Sequence, residues 1–205
     1  MQRDGVQDWL DGRGSDELRR PEVGALLLAM PALGDPTFDR TVVLIVGDYD
    51  EGYQGVILSE PTRDDVRVAL PRWWRSAMPP RKLHRGGPCD YDLVLCLAVG
   101  RPGLDVEGLV EVKRYRHQSL YRVEGEVDPD AILSAVSGVR LFQGYSGWSP
   151  GQLELEIDEG AWLVVPSHAD DAVSPTSATL WRGVLARQQG DAAFLRSCPD
   201  NPARN

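Results

Sequence analysis

Short apolar runs separated by polar turns dominate the first part of the chain. Residues 25–30 form an apolar run that Pro31 closes, and residues 41–46 form a second run rich in β-branched side chains. Short apolar runs bounded by turn residues are typical of buried strands. A third run at residues 55–58 follows a polar turn, so the second and third runs predict a β-hairpin.

The same pattern continues beyond the hairpin. Further strands are predicted at residues 93–99, 109–113, 119–123, 139–142 and 162–165. Residues 64–77 differ, because their apolar side chains allow a short helical face on which Pro71 begins or breaks a turn. Strands in hairpins mixed with a few helices indicate an α+β protein.

One helix is predicted to begin at Asp128. Its carboxylate can cap free backbone amides, and Pro129 follows at the position where a missing N–H costs nothing. The apolar face consists of Ile132, Leu133 and Val136. Gly138 is a residue type that ends helices, so it marks the predicted stop.

A second helix is predicted over residues 150–158. Alternating apolar and acidic residues at 153–157 are typical of a strand, but the segment before them carries helix-start signals. Ser149 stands at the cap, Pro150 follows, and Gln152 lies three residues after the serine, as in a capping box. A last helix is predicted over residues 179–188.

The chain is predicted to hold one domain, at residues 23–200. Residues 1–22 are rich in Asp, Gly and Arg without apolar periodicity, so they predict a flexible arm. Residues 201–205 are predicted to form a short tail. The arm lacks the apolar core of a signal peptide, and no apolar run is long enough to cross a membrane, which predicts a cytoplasmic protein.

Net charge narrows the choice of partners. The formal charge is −9, which argues against direct nucleic-acid binding because such binding depends on neutralising phosphates. One basic stretch stands out around Trp73 and Trp74. Its cationic residues are Arg72, Arg75, Arg81, Lys82 and Arg85. We interpret this stretch as a solvated basic face over a surface helix.

The chain offers no assembled catalytic or metal-binding motif. Its three cysteines and three histidines are scattered and show no zinc-ligand spacing, so no metal or cofactor is predicted. Gly follows Ser146 directly, which breaks the pattern of a nucleophile elbow. The glycines around Ser146 are expected to turn a strand sharply into the helix while Tyr145 and Trp148 pack or line a groove.

Two other segments have a structural and a functional interpretation each. Gly86, Gly87 and Pro88 predict a plain tight turn, with anion binding by free amides as the alternative. His84 and Cys89 flank this turn, and a structural role for them is favoured over a thiolate pair.

The loop after the first strand carries the residues Asp35, Asp39 and Arg40. We expect a buried ion pair between Arg40 and a carboxylate, which would fix the loop. The alternative is that Arg40 holds a carboxylate or phosphate group of a ligand.

Three motifs in the chain resemble the AlgH/YqgE-type family of bacterial proteins. They read GALLLAMPALGDPTFDRTVVLIVGDYDEGYQGVILSEP, GGP and GYSGWSPGQLELEIDEGAWLVVP, and the resemblance covers residues 23 to about 200. The signature positions are Pro31, Asp35, Phe38, Arg40, Gly55, Pro61, Gly86, Gly87, Pro88, Gly144, Tyr145, Gly147, Trp148, Gln152, Leu153, Glu156 and Trp162. The chain departs from the pattern at Asp48, where the family usually has histidine, and at Ser59-Glu60, where it has Asn-Arg.

The resemblance implies a single α+β domain with a mixed, partly barrel-like sheet surrounded by helices. It also implies a role in transcriptional regulation, although the family has no recognised DNA-binding motif and is largely uncharacterised. No catalytic role is carried over to any residue of this chain.

We predict a cytoplasmic, non-enzymatic binding or regulatory protein with a protein or small-molecule partner. Aromatic and arginine side chains are the usual anchors of binding surfaces. The candidate binding residues are Asp35, Arg40, Gly86, Gly87, Tyr145, Trp148 and Gln152. The alternative is a small-molecule binder or enzyme whose pocket is formed by the same motif residues. Identity of the partner and oligomeric state are left open.

Overall fold

A ten-stranded sheet organises the part of the chain that this computed structural model describes, which is residues 20–30, 33–125, 127–175 and 179–188. The strands are β1 (Ala25–Ala29), β2 (Val42–Tyr49), β3 (Gly52–Ile57), β4 (Pro61–Asp65), β5 (Lys82–Arg85), β6 (Cys89–Gly100), β7 (Leu109–Arg114), β8 (Ser119–Val123), β9 (Val136–Trp148) and β10 (Trp162–Pro166). The helices are α1 (Val66–Ala69), α2 (Pro129–Ile132), α3 (Gln152–Asp158) and α4 (Leu180–Ala186). Short 3-10 helices cover Pro36–Phe38, Pro71–Trp73 and Ala169–Val173.

The long strand β9 lies at the centre of the sheet. The main strand order is β10-β1-β2-β3-β9-β6-β8-β7. One edge of β9 pairs with β6, while β3 and β5 occupy successive parts of its other edge. Strand β4 pairs in turn with β5. Strand β9 therefore joins the β1–β3 half of the sheet to the β6–β8 half.

The predicted fold class is wrong. The sheet is predominantly antiparallel, since β5 and β9 form the one parallel pair among the described strands. It is open rather than barrel-like, because β10 and β7 end the strand order without pairing with each other. The described helices are few and at most seven residues long. The protein is thus β-rich rather than α+β with surrounding helices.

The apolar runs predicted most strands correctly. Val43 lies opposite Ile57 in the β2–β3 hairpin, as the pattern indicated. Strands β1, β6, β7, β8 and β10 also lie where apolar runs were found. Strands β4 and β5 were not predicted, because β4 is polar and largely exposed and β5 is short.

The prediction of a long helix after Asp128 is wrong beyond its first turn. Asp128 caps α2 by accepting a hydrogen bond from the Asp130 amide, and Pro129 is the first helical residue, as predicted. The helix ends after one turn, and Gly138 lies inside β9 rather than at a helix end. A Cβ at Gly138 would stand 2.3 Å from the Met78 sulfur. The glycine therefore admits a neighbouring side chain to the strand.

The predictions of the last two helices are confirmed. Helices α3 and α4 lie within the predicted segments 150–158 and 179–188. The capping box is half formed, because Gln152 Oε1 accepts the Ser149 amide at 3.0 Å while the N-cap itself is Gly151. Residues 64–77 contain α1 and a separate 3-10 helix. The sharp turn predicted around Ser146 is absent, because β9 runs through that motif.

Three apolar clusters fill the two faces of the sheet. Leu26 and Leu28 of β1 face one cluster and Leu27 faces another, as alternation along a strand requires. The third cluster lies beneath α1 and α2 and includes Tyr121. No described helix is long and apolar enough to cross a membrane.

Several predictions fall on residues outside the described ranges. They concern nearly all of the 1–22 arm, the signature residue Pro31, Cys198 and the 201–205 tail. The division into arm, domain and tail therefore stays a prediction.

Candidate functional site

The carboxylate of Glu156 joins two tryptophans of the family motifs. Its Oε2 accepts hydrogen bonds from Trp148 Nε1 at 2.9 Å and from Trp162 Nε1 at 2.7 Å. Its Oε1 accepts one from Gln152 Nε2 at 2.9 Å. Charged acceptors make hydrogen bonds roughly twice as strong as neutral ones. Glu156 therefore anchors α3 to the ends of β9 and β10.

Aromatic contacts surround this carboxylate. The rings of Trp148 and Trp162 meet edge to face with centroids 5.8 Å apart, and Phe38 packs against Trp162 at 5.3 Å. Trp148 is only 5% exposed. The structure thus places the candidate residue Trp148 in a buried aromatic cluster that fixes α3, whereas the candidate residue Gln152 is exposed and contacts the cluster through Glu156.

Replacing Glu156 with alanine is expected to lower the free energy of unfolding by about 3 kcal/mol, because two indole N–H groups lose their acceptor. Glu156→Gln retains one oxygen acceptor and should cost about 1 kcal/mol. Urea denaturation of the two variants measures the difference. Equal losses in both would show that charge, rather than acceptance from the indoles, matters here.

Gly86 and Gly87 lie where the chain crosses close to β9. A Cβ at Gly86 would stand 2.1 Å from the Gly144 oxygen, and one at Gly87 would stand 2.2 Å from the Tyr145 carbonyl carbon. The Gly86 amide donates to the Gln143 oxygen at 2.7 Å, so it is already used within the protein. The Gly86 oxygen accepts from the Ile57 amide at 2.8 Å and from Ser146 Oγ at 3.2 Å. Close backbone packing accounts for these glycines.

Tyr145 lies beside the same crossing. It is half-buried and opposite Cys89 in the β6–β9 pairing. Gly147 next to it is exposed, and a Cβ there would stand 3.3 Å from the Tyr145 ring. Of the seven candidate binding residues, Gly86, Gly87 and Tyr145 therefore come together.

His84 is fully buried and both of its ring nitrogens have partners. Nε2 lies 2.9 Å from an Arg140 guanidinium nitrogen, which can only donate, so Nε2 accepts and Nδ1 donates to the Lys82 oxygen at 3.2 Å. Burial, and then the charge of Arg140, lower the pKa of His84 to about 3. His84 is therefore a neutral structural residue and not a base for Cys89.

Arg140 is the centre of this buried contact and is 2% exposed. Beyond His84, its guanidinium donates to the backbone oxygens of Pro79, Val173 and Ser174 at 2.7–2.9 Å. No carboxylate of the described residues lies within ion-pair distance, and Nε has no acceptor there. Burial lowers the pKa of Arg140 to about 10, which leaves the group charged at neutral pH. Arg140 thus ties three separate segments to β9.

The loop residues Asp35 and Arg40 make separate contacts. Asp35 is exposed and accepts the Thr37 amide at 2.8 Å, and Asp39 is exposed as well. Neither of these two loop carboxylates therefore forms the expected buried ion pair with Arg40. The Arg40 guanidinium lies 5.8 Å from the centre of the Trp181 ring, and its φ of 53° is rare outside glycine. Ligand binding by Arg40 stays a prediction.

Glu60 forms an ion pair with Arg85 at the position where the family usually has Arg. The Arg85 guanidinium also donates to the Thr37 oxygen at 2.9 Å. The carboxylate raises the pKa of Arg85. Arg85 ties β5 to the Pro36–Phe38 turn, and Glu60, the departure from the family pattern, has Arg85 as its partner.

A cleft of about 540 Å³ opens on the sheet, away from all seven candidate residues. Its apolar lining includes Leu70, Trp73, Val94, Cys96, Val123 and Leu141. Arg72 and Asp128 also line it and form an ion pair at 3.0 Å, with both side chains more than half exposed. Burial raises the pKa of the Cys96 thiol, so this group is neutral.

The cleft exists because β8 is shorter than β6. Val123, the last residue of β8, pairs with Cys96. Residues 90–94 of β6 extend beyond that point and are exposed. The apolar side chains Tyr91, Leu93 and Val94 are therefore 52%, 37% and 37% exposed. Sequence reasoning missed this site, since an apolar strand is normally assigned to the core.

Among the described residues, no three His, Cys, Asp or Glu side chains are grouped so that they could hold a metal ion. Among the candidate residues, Asp35 caps a turn and Arg40 lies near the Trp181 ring. The arrangement of the cleft, with apolar walls and one neutralised ion pair, suits binding.

Comparison with known proteins identifies relatives along most of the chain. A family model described as AlgH-like matches residues 26–193. A UPF0301 protein of Streptomyces avermitilis is 43% identical over 182 residues, which are 89% of this chain and 94% of that protein. These matches confirm the resemblance found in the sequence motifs.

Two solved structures share the fold. A crystal structure of a Corynebacterium diphtheriae protein superposes with a TM-score of 0.83 at 30% identity, over 92% of this chain and 97% of that one. The solution structure of the AlgH protein from Pseudomonas aeruginosa gives a TM-score of 0.63 at 24% identity, over 92% and 98% of the chains. The chain belongs to the AlgH-like family.

Proposed function

We propose that this protein is a non-enzymatic binding protein of the cytoplasm that holds a small, mainly apolar ligand in the cleft beside β6. The volume of about 540 Å³ carries the proposal. Ligand sites generally have about 300–1,000 Å³, apolar walls and a few polar groups that fix orientation. Here Arg72 and Asp128 supply those polar groups.

The chemistry of the lining favours binding over catalysis. Cys96 is the nucleophilic side chain in the cleft, and its raised pKa keeps it from forming a thiolate. Arg72 and Asp128 are paired with each other and lie largely in water.

A regulatory role extends this proposal. The family resemblance implies transcriptional regulation, and the net charge of −9 disfavours direct DNA contact. We therefore assign regulation to contacts with a ligand or a protein rather than with DNA.

The test uses the dye anilinonaphthalene sulfonate, whose apolar rings and single negative charge match the cleft. Val94→Trp places a larger side chain on the cleft wall at a position that is 37% exposed. We expect this change to weaken dye binding by about tenfold or more, which corresponds to about 1.4 kcal/mol. A fluorescence titration at constant dye concentration measures it.

Val110→Trp is the matched control. Val110 lies on β7, is 42% exposed and does not line the cleft. Dye affinity should stay within about twofold of the unmodified protein in this variant. If both variants bind the dye as the parent does, the cleft is not the binding site and the proposal fails.

A further inference from the structure

Residues 61–85 carry a charge opposite to that of the whole chain. They contain seven cationic and two acidic residues, a net charge of +5, whereas the chain has −9 and its remaining residues therefore −14. Charge asymmetry of this kind marks surfaces that attract partners of opposite sign.

Two of these cations are held against one aromatic ring. The guanidinium carbons of Arg81 and Arg67 lie 4.7 Å and 5.8 Å from the centre of the Trp74 ring. Arg81 Nε also donates to the Ala77 oxygen at 3.2 Å, and its backbone adopts φ 58°. These contacts order the side chains before any partner arrives, which lowers the entropic cost of binding.

The cations of this segment divide into paired and unpaired groups. Arg72, Lys82 and Arg85 form ion pairs with carboxylates of the chain. Within the described part of the chain, no carboxylate lies within ion-pair distance of the other basic side chains. Those side chains are Arg63, Arg67, Arg75 and Arg81. Four charges thus remain available in a protein with a large excess of carboxylates.

An apolar side chain accompanies the unpaired cations. Val68 follows Arg67 on α1 and is 82% exposed. A single exposed valine is ordinary on a protein surface. Next to Arg67 in the chain, however, Val68 adds an apolar side chain to this basic segment, and phosphate groups would leave that side chain uncovered.

We propose that the arginine face, defined as Arg67, Val68, Trp74, Arg75 and Arg81, binds an acidic segment of a partner protein that also carries an apolar side chain. Carboxylates of the segment contact the arginines, and its apolar side chain covers Val68. A short acidic segment touches this face alone. A long polyanion such as duplex DNA would also meet the remaining surface, whose charge repels it.

The probe is a fluorescein-labelled synthetic peptide in which glutamates surround a central leucine. Anisotropy titrations at low salt should show binding that weakens with added salt. The double change Arg67→Glu with Arg75→Glu should weaken binding by about tenfold or more, and Val68→Ser should weaken it less. A labelled DNA duplex long enough to extend beyond the arginine face should bind more weakly than the peptide.

Arg101→Glu with Arg116→Glu is the matched control. Both residues are exposed and lie outside the face, and this double change alters the net charge by the same amount. The control should bind the peptide nearly as well as the parent. Three results would overturn the proposal: equal weakening in both double variants, tighter binding of DNA than of peptide, or no binding at low salt. Urea denaturation midpoints close to that of the parent show that each variant is folded.

Discussion

Gly86→Ala is expected to destabilise the protein by more than about 4 kcal/mol, or to prevent folding. The added Cβ would stand 2.1 Å from the Gly144 oxygen and 3.0 Å from its carbonyl carbon. These are backbone atoms of the central strand. Gly144 has no room to move away from the added Cβ, because it is itself closely packed. A Cβ added to Gly144 would stand only 2.7 Å from the Cys89 oxygen. Urea denaturation followed by circular dichroism measures the loss.

Gly183→Ala is the control for this substitution. Gly183 is exposed in α4, and a Cβ there meets no atom within 4 Å. Alanine in a helix should stabilise by about 0.5–1 kcal/mol. If the free energy of unfolding of Gly86→Ala lies within about 1 kcal/mol of the parent's, Gly86 and Gly87 are not tightly packed against β9. It would return Gly86 and Gly87 to the candidates for anion binding.

Arg140→Ala is expected to lower the free energy of unfolding by about 4 kcal/mol. The change removes the guanidinium donors of three backbone oxygens and of the buried His84 Nε2. Each unsatisfied buried group costs about 1–3 kcal/mol, and relaxation of the surroundings recovers part of the sum. Arg140→Lys keeps the charge but has a single donor group, so it should lose about half as much. A neutral effect of Arg140→Ala would contradict the role assigned to Arg140.

Acid titration tests the same contact independently. His84 takes up a proton near pH 6.5 when unfolded and near pH 3 when folded, so stability falls as the pH drops between these values. The slope from this group is about 1.4 kcal/mol per pH unit. His84→Gln keeps an acceptor for Arg140 without titrating, and its stability should fall less steeply over this interval. If the unmodified protein and His84→Gln show the same slope, His84 has the same pKa in the folded and the unfolded protein.

The sequence predicted strands better than helices for a physical reason. Apolar runs such as residues 41–46 indicate burial directly, and burial determines a strand inside a sheet. Cap residues such as Asp128 indicate where a helix starts but not how far it continues. After Pro129 the tertiary pairing of Val136 with Gly100 extends β9 backwards and ends the helix after one turn.

Candidate residues could be found from the sequence, but their environments could not. The motif around Trp148 was found, yet nothing local shows that Glu156 would meet two indoles from different strands. The cleft was not predictable because it depends on the length difference between β8 and β6. Its apolar lining has the same sequence pattern as a core strand. The arginine-rich stretch was visible in the sequence, whereas its division into cations with and without carboxylate partners was not.

The central position of β9 has a consequence for synthesis of the protein on the ribosome. Strand β3 requires residues 146–148 as partners, and β1 requires residues 162–166. The strands β1 and β3 therefore cannot complete their native pairing until about four-fifths of the chain has left the exit tunnel. Meanwhile the apolar strands β1 and β2 are exposed as an incomplete hairpin. Nascent chains halted before residue 136 should consequently depend on chaperones, whereas those that have released residue 166 should not.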